Sequence, residues 1–381
     1  MKTVQLKRSK NSNWEYVSEK KELRAPLVLV FGNRFLLEDN AIYKEIRAIF
    51  NDGHIVFGSS CGDITSNSVD ENSVTITAIE FEKSSFLIKT NNVLDGELGK
   101  EIDSLRIGKE LIAQFPEQNL KNIFIVSEGS FINGSQLTKG MNAGTNNNVL
   151  ITGALCGDGA RFEKTLASYN EKPRAGEIVA IGLYGASLEV TFSIKGGWTP
   201  FGPERIVTKS KGNILYELDN VPALDLYKKY LGDKSKELPS AALLYPLNVK
   251  SEKENQSIVR TILNIDEAEN SMILAGDIFE NSTVQLMMTN VDNIVGAAEE
   301  AAIKALKFRK KKPELAILVS CIGRKLVLDQ RVEEEVEEVI EVIGKKTTIC
   351  GFYSYGELAP FNREINCQLH NQTMAITLIS E

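Results

Sequence analysis

Short apolar runs alternate with helix-spaced apolar positions through most of the chain. Leu27–Gly32 is the first such run, and Leu36, Ile42, Ile46 and Ile49 then recur at the spacing of one helix face. Residues 55–58 and 73–81 predict the next strands. The rhythm returns about a hundred residues later, with strands at 123–126, 149–155 and 178–184 and a helix-length stretch over 134–144. Towards the C-terminus, 315–321 predicts a strand, 327–343 a helix and 374–379 a closing strand. One element is copied: Gly58-Ser-Ser-Cys-Gly-Asp63 against Gly153-Ala-Leu-Cys-Gly-Asp158, 95 residues apart. A looser copy, Gly351-Phe-Tyr-Ser-Tyr-Gly-Glu357, is one residue longer. A repeat this long predicts duplicated α/β units rather than a solenoid.

Two helices have clear stripes. Leu98, Ile102, Leu105, Ile112 and Phe115 share a face that ends before Pro116. Val332, Val336, Val339, Ile340 and Ile343 share another, stopped by Gly344. The acids beside that second stripe (Glu333, Glu334, Glu335, Glu337 and Glu338) are assigned to the solvent face. Residues 189–231 break the pattern with Gly196-Gly-Trp-Thr-Pro-Phe-Gly-Pro203, strand-like 206–209 and 214–218 about a Gly212-Asn213 turn, and Pro222 opening a helix. Beyond them 243–289 alternates as an antiparallel sheet, with turns at 266–270 and Gly276-Asp277. The expected organisation is a polar arm over 1–24, loose or an edge strand, an α/β domain over 25–220 and a second over 221–381. The fold class is α/β, with duplicated strand–helix–strand units and mixed sheets flanked by helices.

Composition narrows the function. Hydrophobic residues are 43% and charged residues 25% of 381, as in an ordinary folded protein. Lys+Arg is 44 against 51 Asp+Glu, a net charge of −7, which argues against nucleic acid as a partner. No apolar run approaches the ~20 residues of a membrane helix, and no secretory pattern opens the chain, so the expected setting is the cytoplasm without membrane contact. Five cysteines without a CxxC pair read as reduced thiols. Phosphate-loop, GxSxG and HExxH signatures are absent, and His54 and His370 are the two histidines, so neither catalytic residues nor metal ligands are assigned.

The densest chemistry lies at the C-terminal end. If Cys321-Ile-Gly-Arg324, Gly351–Glu357 and Cys367-Gln-Leu-His-Asn-Gln-Thr-Met374 all lie at strand ends, Arg324 and Glu357 could charge-pair with an amino-acid-like ligand. Tyr353 and Tyr355 would stack or hydrogen-bond, Asn371 would orient the ligand, and Trp198 would wall a cleft. The competing readings are an internal Arg324–Glu357 ion pair and a cysteine nucleophile drawn from Cys321 or Cys350 with His370 and Asn371. The basic tract Lys307-Phe-Arg-Lys-Lys-Lys312 reads as helix-dipole compensation rather than a nucleic-acid patch.

These residues together resemble the FIST family. The N-terminal match rests on Gly153–Asp158, Gly197-Trp-Thr-Pro-Phe-Gly202, Val207-Thr208, Gly212-Asn213, Leu218-Asp219, Pro222-Ala223 and Tyr227 to Leu231. The C-terminal match rests on Cys321-Ile-Gly-Arg324, Gly351–Glu357 and Leu369-His-Asn-Gln-Thr373. The resemblance covers roughly residues 23–381. It implies a sensory module of bacterial signal transduction that binds small ligands such as amino acids. It also implies an output through a histidine kinase, a cyclic-dinucleotide enzyme or a chemoreceptor. This chain shows no such output segment, so the signal is expected to pass to a separate protein. The family's nitric oxide sensors imply haem as the alternative cofactor, with His54 or His370 as its ligand. A protein–protein interaction scaffold is the other alternative.

Overall fold

The computed structural model describes residues 1–95, 102–145, 149–251, 257–361 and 366–381. Three units of one design follow each other along the chain. The first holds β1 (Lys2–Ser9), β2 (Leu27–Gly32), α1 (Ile42–Ile49), β3 (His54–Ser59), β4 (Asp63–Ile64) and β5 (Ser73–Glu80). The second holds β6 (Ser85–Asn92), α2 (Ser104–Ile112), β7 (Leu120–Ser127), α3 (Gly134–Ala143), β8 (Leu150–Leu155), β9 (Ala167–Tyr169) and β10 (Glu177–Tyr184). The third starts with β11 (Glu189–Lys195) and is interrupted at once by an outer sheet. That sheet is built from β12 (Thr199–Lys211), β13 (Ile214–Leu218), α4 (Ala223–Leu231), β14 (Leu247–Lys250), β15 (Ser257–Arg260), β16 (Ile262–Asp266), β17 (Ser271–Leu274) and β18 (Thr283–Met288). The unit resumes with α5 (Val291–Leu306), β19 (Leu315–Cys321), α6 (Ile322–Leu328), α7 (Glu334–Ile343), β20 (Thr348–Ser354), β21 (Gly356–Pro360), β22 (Cys367–His370) and β23 (Met374–Ser380).

Each unit centres on a parallel pair: β2 with β3, β7 with β8, β19 with β20. An antiparallel strand flanks the first member of each pair (β5, β10 and β23), and a further strand (β1, β6 and β11) lies beyond it. The paired strands are buried on both faces, which is why Leu27–Gly32 and Leu315–Cys321 are continuous apolar runs rather than alternating ones. Leu29, Phe31, Val56, Phe124, Val126, Val179, Ile317 and Phe352, drawn from all three sheets, share one central core.

After its second parallel strand each unit sends a short strand to a neighbour. β4 joins β20, β21 joins β8, and β9 joins β3, so the exchange closes in a ring. Backbone hydrogen bonds repeat the ring: Cys61 N to Tyr353 O at 2.8 Å, Tyr355 N to Leu155 O at 3.1 Å and Gly157 N to Ser59 O at 3.0 Å. These bonds equate Cys61, Gly157 and Tyr355, so the first two copies lie 96 residues apart, one more than the matching motifs suggest. Gly153 and Gly351 are equivalent, and a Cβ on either would meet the carbonyl of the adjacent strand, Ile125 O at 2.2 Å or Leu318 O at 1.8 Å. Both glycines therefore serve close strand packing.

Other expectations shift as well. Residues 2–9 are no loose arm: β1 pairs with all of β5 and buries Val4 and Leu6 in the first unit's core. The expected helix over 327–343 is two helices, α6 and α7, joined by a turn at 329–331. The striped helix containing Ile107 and Leu111 begins at Ser104, and Leu98 lies outside the described residues. The expected alternation over 243–289 appears as β14 to β18. The outer sheet runs β15–β14–β18–β12–β13–β17–β16 and has its own core around Leu215, Tyr227, Met272 and Leu286. The position near 220 lies between β13 and α4 of this sheet, whose β12 and β13 pair with β18 and β17.

Candidate ligand cleft

Arg324 is fully buried at the start of α6, and its partners are internal. Nε and Nη2 donate to Glu335 Oε2 at 3.0 and 2.6 Å, Nη2 also to Ile294 O at 2.9 Å, and Nη1 to Gly196 O. Glu335 also accepts from Ser320 Oγ at 2.9 Å and Tyr353 Oη at 2.6 Å. The guanidinium thus ties α6 to α7, α5 and the end of β11 and offers no fork to a ligand. Its carboxylate partner is Glu335 rather than Glu357. Glu335, assigned from the charge run to solvent, faces inward at the fourth position before Val339 on the same buried stripe.

Glu357 lies on β21, closed off from solvent. It accepts from Ser354 Oγ at 2.8 Å, Thr373 Oγ1 at 2.7 Å and Thr373 N at 3.2 Å, and burial raises its pKa to about 8. Asp63, its equivalent in the first unit, accepts from Ser60 and Ser73 at 2.5 Å each, and burial raises it to about 7. The second unit departs from this scheme, because Asp158 sits one position earlier. It accepts from Tyr355 Oη, Phe162 N at 3.0 Å and Lys164 N at 3.1 Å. Tyr355 also stacks on Phe162, with ring centroids 4.3 Å apart. Asp63 and Glu357 are thus held within their own units, and Asp158 reaches across to Tyr355 of the third. Asn371 is buried, and neither of its side-chain polar atoms has a hydrogen-bond partner among the described residues. Trp198 packs with Met287, Ile294 and Leu328 where the outer sheet leaves β11, and lines no part of the cleft described next.

A different place brings polar groups to solvent. A cavity of about 190 Å³ opens where the outer sheet, α3 and β22 meet. Asp277, from the turn after β17, sits against the N-terminus of α3, where helix N–H groups favour a carboxylate. Its Oδ1 accepts from Asn133 Nδ2 at 2.8 Å, its Oδ2 from Gln136 Nε2, and its backbone N donates to Ser135 Oγ at 3.1 Å. Lys139 Nζ, half exposed, stands 3.5 Å from Asp277 Oδ2 and lies over the Phe279 ring at 5.1 Å. Arg260, at the end of β15, donates through Nη1 to Leu369 O at 3.0 Å and through Nε to Asp277 O at 3.3 Å. Gly276 is needed for this approach, since a Cβ there would sit 2.7 Å from Ser135 Oγ. Sequence reasoning placed the Gly276-Asp277 turn but gave it no role. Arg260 and Lys139 carry no motif, and only the strand ends that bring them together reveal them.

Both histidines make contacts within the protein. His370 is buried, its Nε2 lies 3.0 Å from Ala359 O, and burial lowers its pKa to about 4. His54 Nδ1 lies 2.7 Å from Tyr169 Oη, with its ring edge-on to Phe86. Burial pushes the Cys321 thiol up and the Cys350 thiol up to about 12, away from the thiolate a nucleophile requires. Among the described residues, no three His, Cys, Asp or Glu side chains cluster as a metal site would require. No helix among them is long and apolar enough to cross a membrane.

Fold and site together define a mixed α/β protein with a ring-closed core and a polar cleft under an appended sheet. The chain belongs to the FIST family: residues 26–221 match the FIST N domain and 223–360 the FIST C domain. FIST domains are associated with sensing in signal transduction. An uncharacterized protein of Methanocaldococcus jannaschii, MJ1623, is 26% identical over 239 residues, 54% of this chain and 44% of that protein. The chain therefore spans less than half the length of that relative. Among solved structures, a chorismatase is similar at a TM-score of 0.36 and 9% identity, covering 100% of this chain and 98% of its own. A cyanuric acid hydrolase from A. caulinodans has a TM-score of 0.36 and 7% identity, covering 93% and 90%. Likeness at that level supports no statement about activity.

Proposed function

We propose that this chain is a non-catalytic, cytoplasmic sensor of bacterial type whose small polar ligand, amino-acid-like in charge, binds in the cleft between the outer sheet and α3. The observation that carries the reading is the composition of this joint. On the cleft side Asp277 and Arg260 reach from the outer sheet to the core through hydrogen bonds, and the apolar contact of Met287 with Ile294 and Leu328 lies elsewhere in the joint. Such polar joints favour relative motion of the parts they connect. Lys139 can take a ligand carboxylate. Asp277 can take an ammonium, because a carboxylate has about four acceptor sites and each of its oxygens accepts one hydrogen bond here. A ligand that prefers one setting of the outer sheet shifts the population towards it. A separate histidine kinase, cyclic-dinucleotide enzyme or chemoreceptor would read that setting.

A thermal-shift panel of amino acids, small carboxylates and small amines tests the reading. A ligand at a hundred times its dissociation constant adds about 2.7 kcal/mol, several degrees in Tm. The proposal expects stabilisation by one chemical class, lost in Lys139→Gln and Asp277→Asn. A flat panel, or stabilisation that survives both substitutions, would overturn it.

A further inference from the structure

We infer that a groove between the end of α5 and the α7–β20 turn binds a small anion carrying two or more phosphate groups. The sequence 307–312 lies beyond Leu306, the last residue of α5, so its cations extend past the helix end they were assigned to neutralise. Residues 309–313 and 343–347 face each other across a groove of about 450 Å³, within the roughly 300–1,000 Å³ of small-molecule sites. Arg309, Lys310, Lys311, Lys312, Lys345 and Lys346 line it, and no acidic side chain does. This concentration of cations sits on a chain whose net charge is −7.

The cations divide into two groups. Arg309 is fixed: Nη1 donates to Thr191 Oγ1 and Leu378 O at 2.9 Å each, and Nη2 to Ser380 Oγ at 2.5 Å. Lys311 Nζ donates to Ser187 O at 2.6 Å. Glu189 holds the loop from behind, accepting from the backbone N–H groups of Lys310 and Lys311 at 2.8 Å each. Lys345 pairs with Glu341 at 3.1 Å on the rim. The ammonium groups of Lys310, Lys312 and Lys346 have no ion-pair or hydrogen-bond partner among the described residues, and all three residues are exposed. A braced loop thus presents three uncommitted ammonium groups from two segments to one concavity. Like charges held this way repel, and the concavity focuses their field on an incoming anion. Spread over two facing segments, they suit several phosphates better than one.

The test is calorimetric titration of the full chain with inorganic tripolyphosphate, pyrophosphate and orthophosphate at low and physiological salt. Tripolyphosphate should bind most tightly and orthophosphate least, with affinity falling as salt rises. K310E/K312E/K346E should weaken tripolyphosphate binding at least about tenfold while Tm stays unchanged, and the triple glutamine variant should lie between. These three side chains are exposed, so the fold should tolerate both variants. Absence of tripolyphosphate binding, or equal binding by the triple glutamate variant, would overturn the assignment. Binding of duplex DNA without binding of tripolyphosphate would also overturn it and make the groove a nucleic-acid surface. The Lys139→Gln variant should bind tripolyphosphate as the wild type does, so this result stands apart from the cleft.

Discussion

Arg324–Glu335 and Arg260–Asp277 are both associations of an arginine with an acidic residue, yet they stand in opposite settings. The first has no solvent access, and every nitrogen of its guanidinium donates within the protein. In the second both residues belong to the outer sheet, and Arg260 meets the backbone carbonyl of Asp277 while the carboxylate faces α3 and Lys139 of the core beside open space. What separates a structural pair from a recognition site here is the remaining capacity of its groups and a path to water, rather than residue type. The first sort holds the core in one arrangement, and the second leaves a joint that a ligand can occupy.

The largest test of that contrast removes one partner of the closed pair. Glu335→Ala leaves the Arg324 guanidinium buried without its carboxylate and should cost about 3–5 kcal/mol, read by denaturant unfolding. A loss below about 1 kcal/mol would show that the network is not holding α6 to α7. A second effect comes from the buried acids. Folded-state pKa values of about 7 for Asp63 and about 8 for Glu357 lie above their unfolded values, so the folded state retains protons that the unfolded state releases. Their contribution is complete below about pH 4 and is lost as pH rises towards 8, at no more than about 1.4 kcal/mol per pH unit for each group. Glu357→Gln should flatten the upper part of that decline, and an unchanged slope would remove Glu357 as its source.

The open pair should respond more mildly in stability and more sharply in binding. Asp277→Asn should cost about 1 kcal/mol, because the amide nitrogen faces the Asn133 and Gln136 donors, and it should abolish stabilisation by amino-acid-like compounds. Lys139→Gln should leave Tm nearly unchanged, within about 0.5 kcal/mol, and still remove the ligand effect. Equal loss of stability in Glu335→Ala and Lys139→Gln would erase the distinction between the two places.

Much of the framework was legible because parallel strands buried on both faces must be apolar throughout. The strands at 27–32 and 315–321, and α7 with its Gly344 stop, follow from that rule and from helix periodicity, and the antiparallel strand expected over 374–379 is apolar because it too is buried on both faces. The ring of exchanged strands was not, because β4 and β9 are too short for a periodic signal. The repeat was visible but slipped by one residue, since Gly58 and Gly153 match as letters while Phe57 is the true counterpart of Gly153. The surroundings of the candidate site residues were hidden for a related reason. Glu357, Tyr353 and Tyr355 do gather where the exchanged strands meet, while α5, α7 and the end of β11 enclose Arg324, and Glu335 was masked by its acidic neighbours. Asp277, Arg260 and Lys139 come from three separate segments, which no local spacing connects.

Hydrogen exchange by mass spectrometry, with the full chain in buffer against an equimolar mixture of the twenty L-amino acids, tests the central claim most directly. If the cleft is the ligand site, protection should rise over residues 133–139 and 276–282, while peptides spanning 320–324 and 353–357 stay unchanged. Protection confined to the Arg324 and Glu357 peptides, or none anywhere, would contradict it.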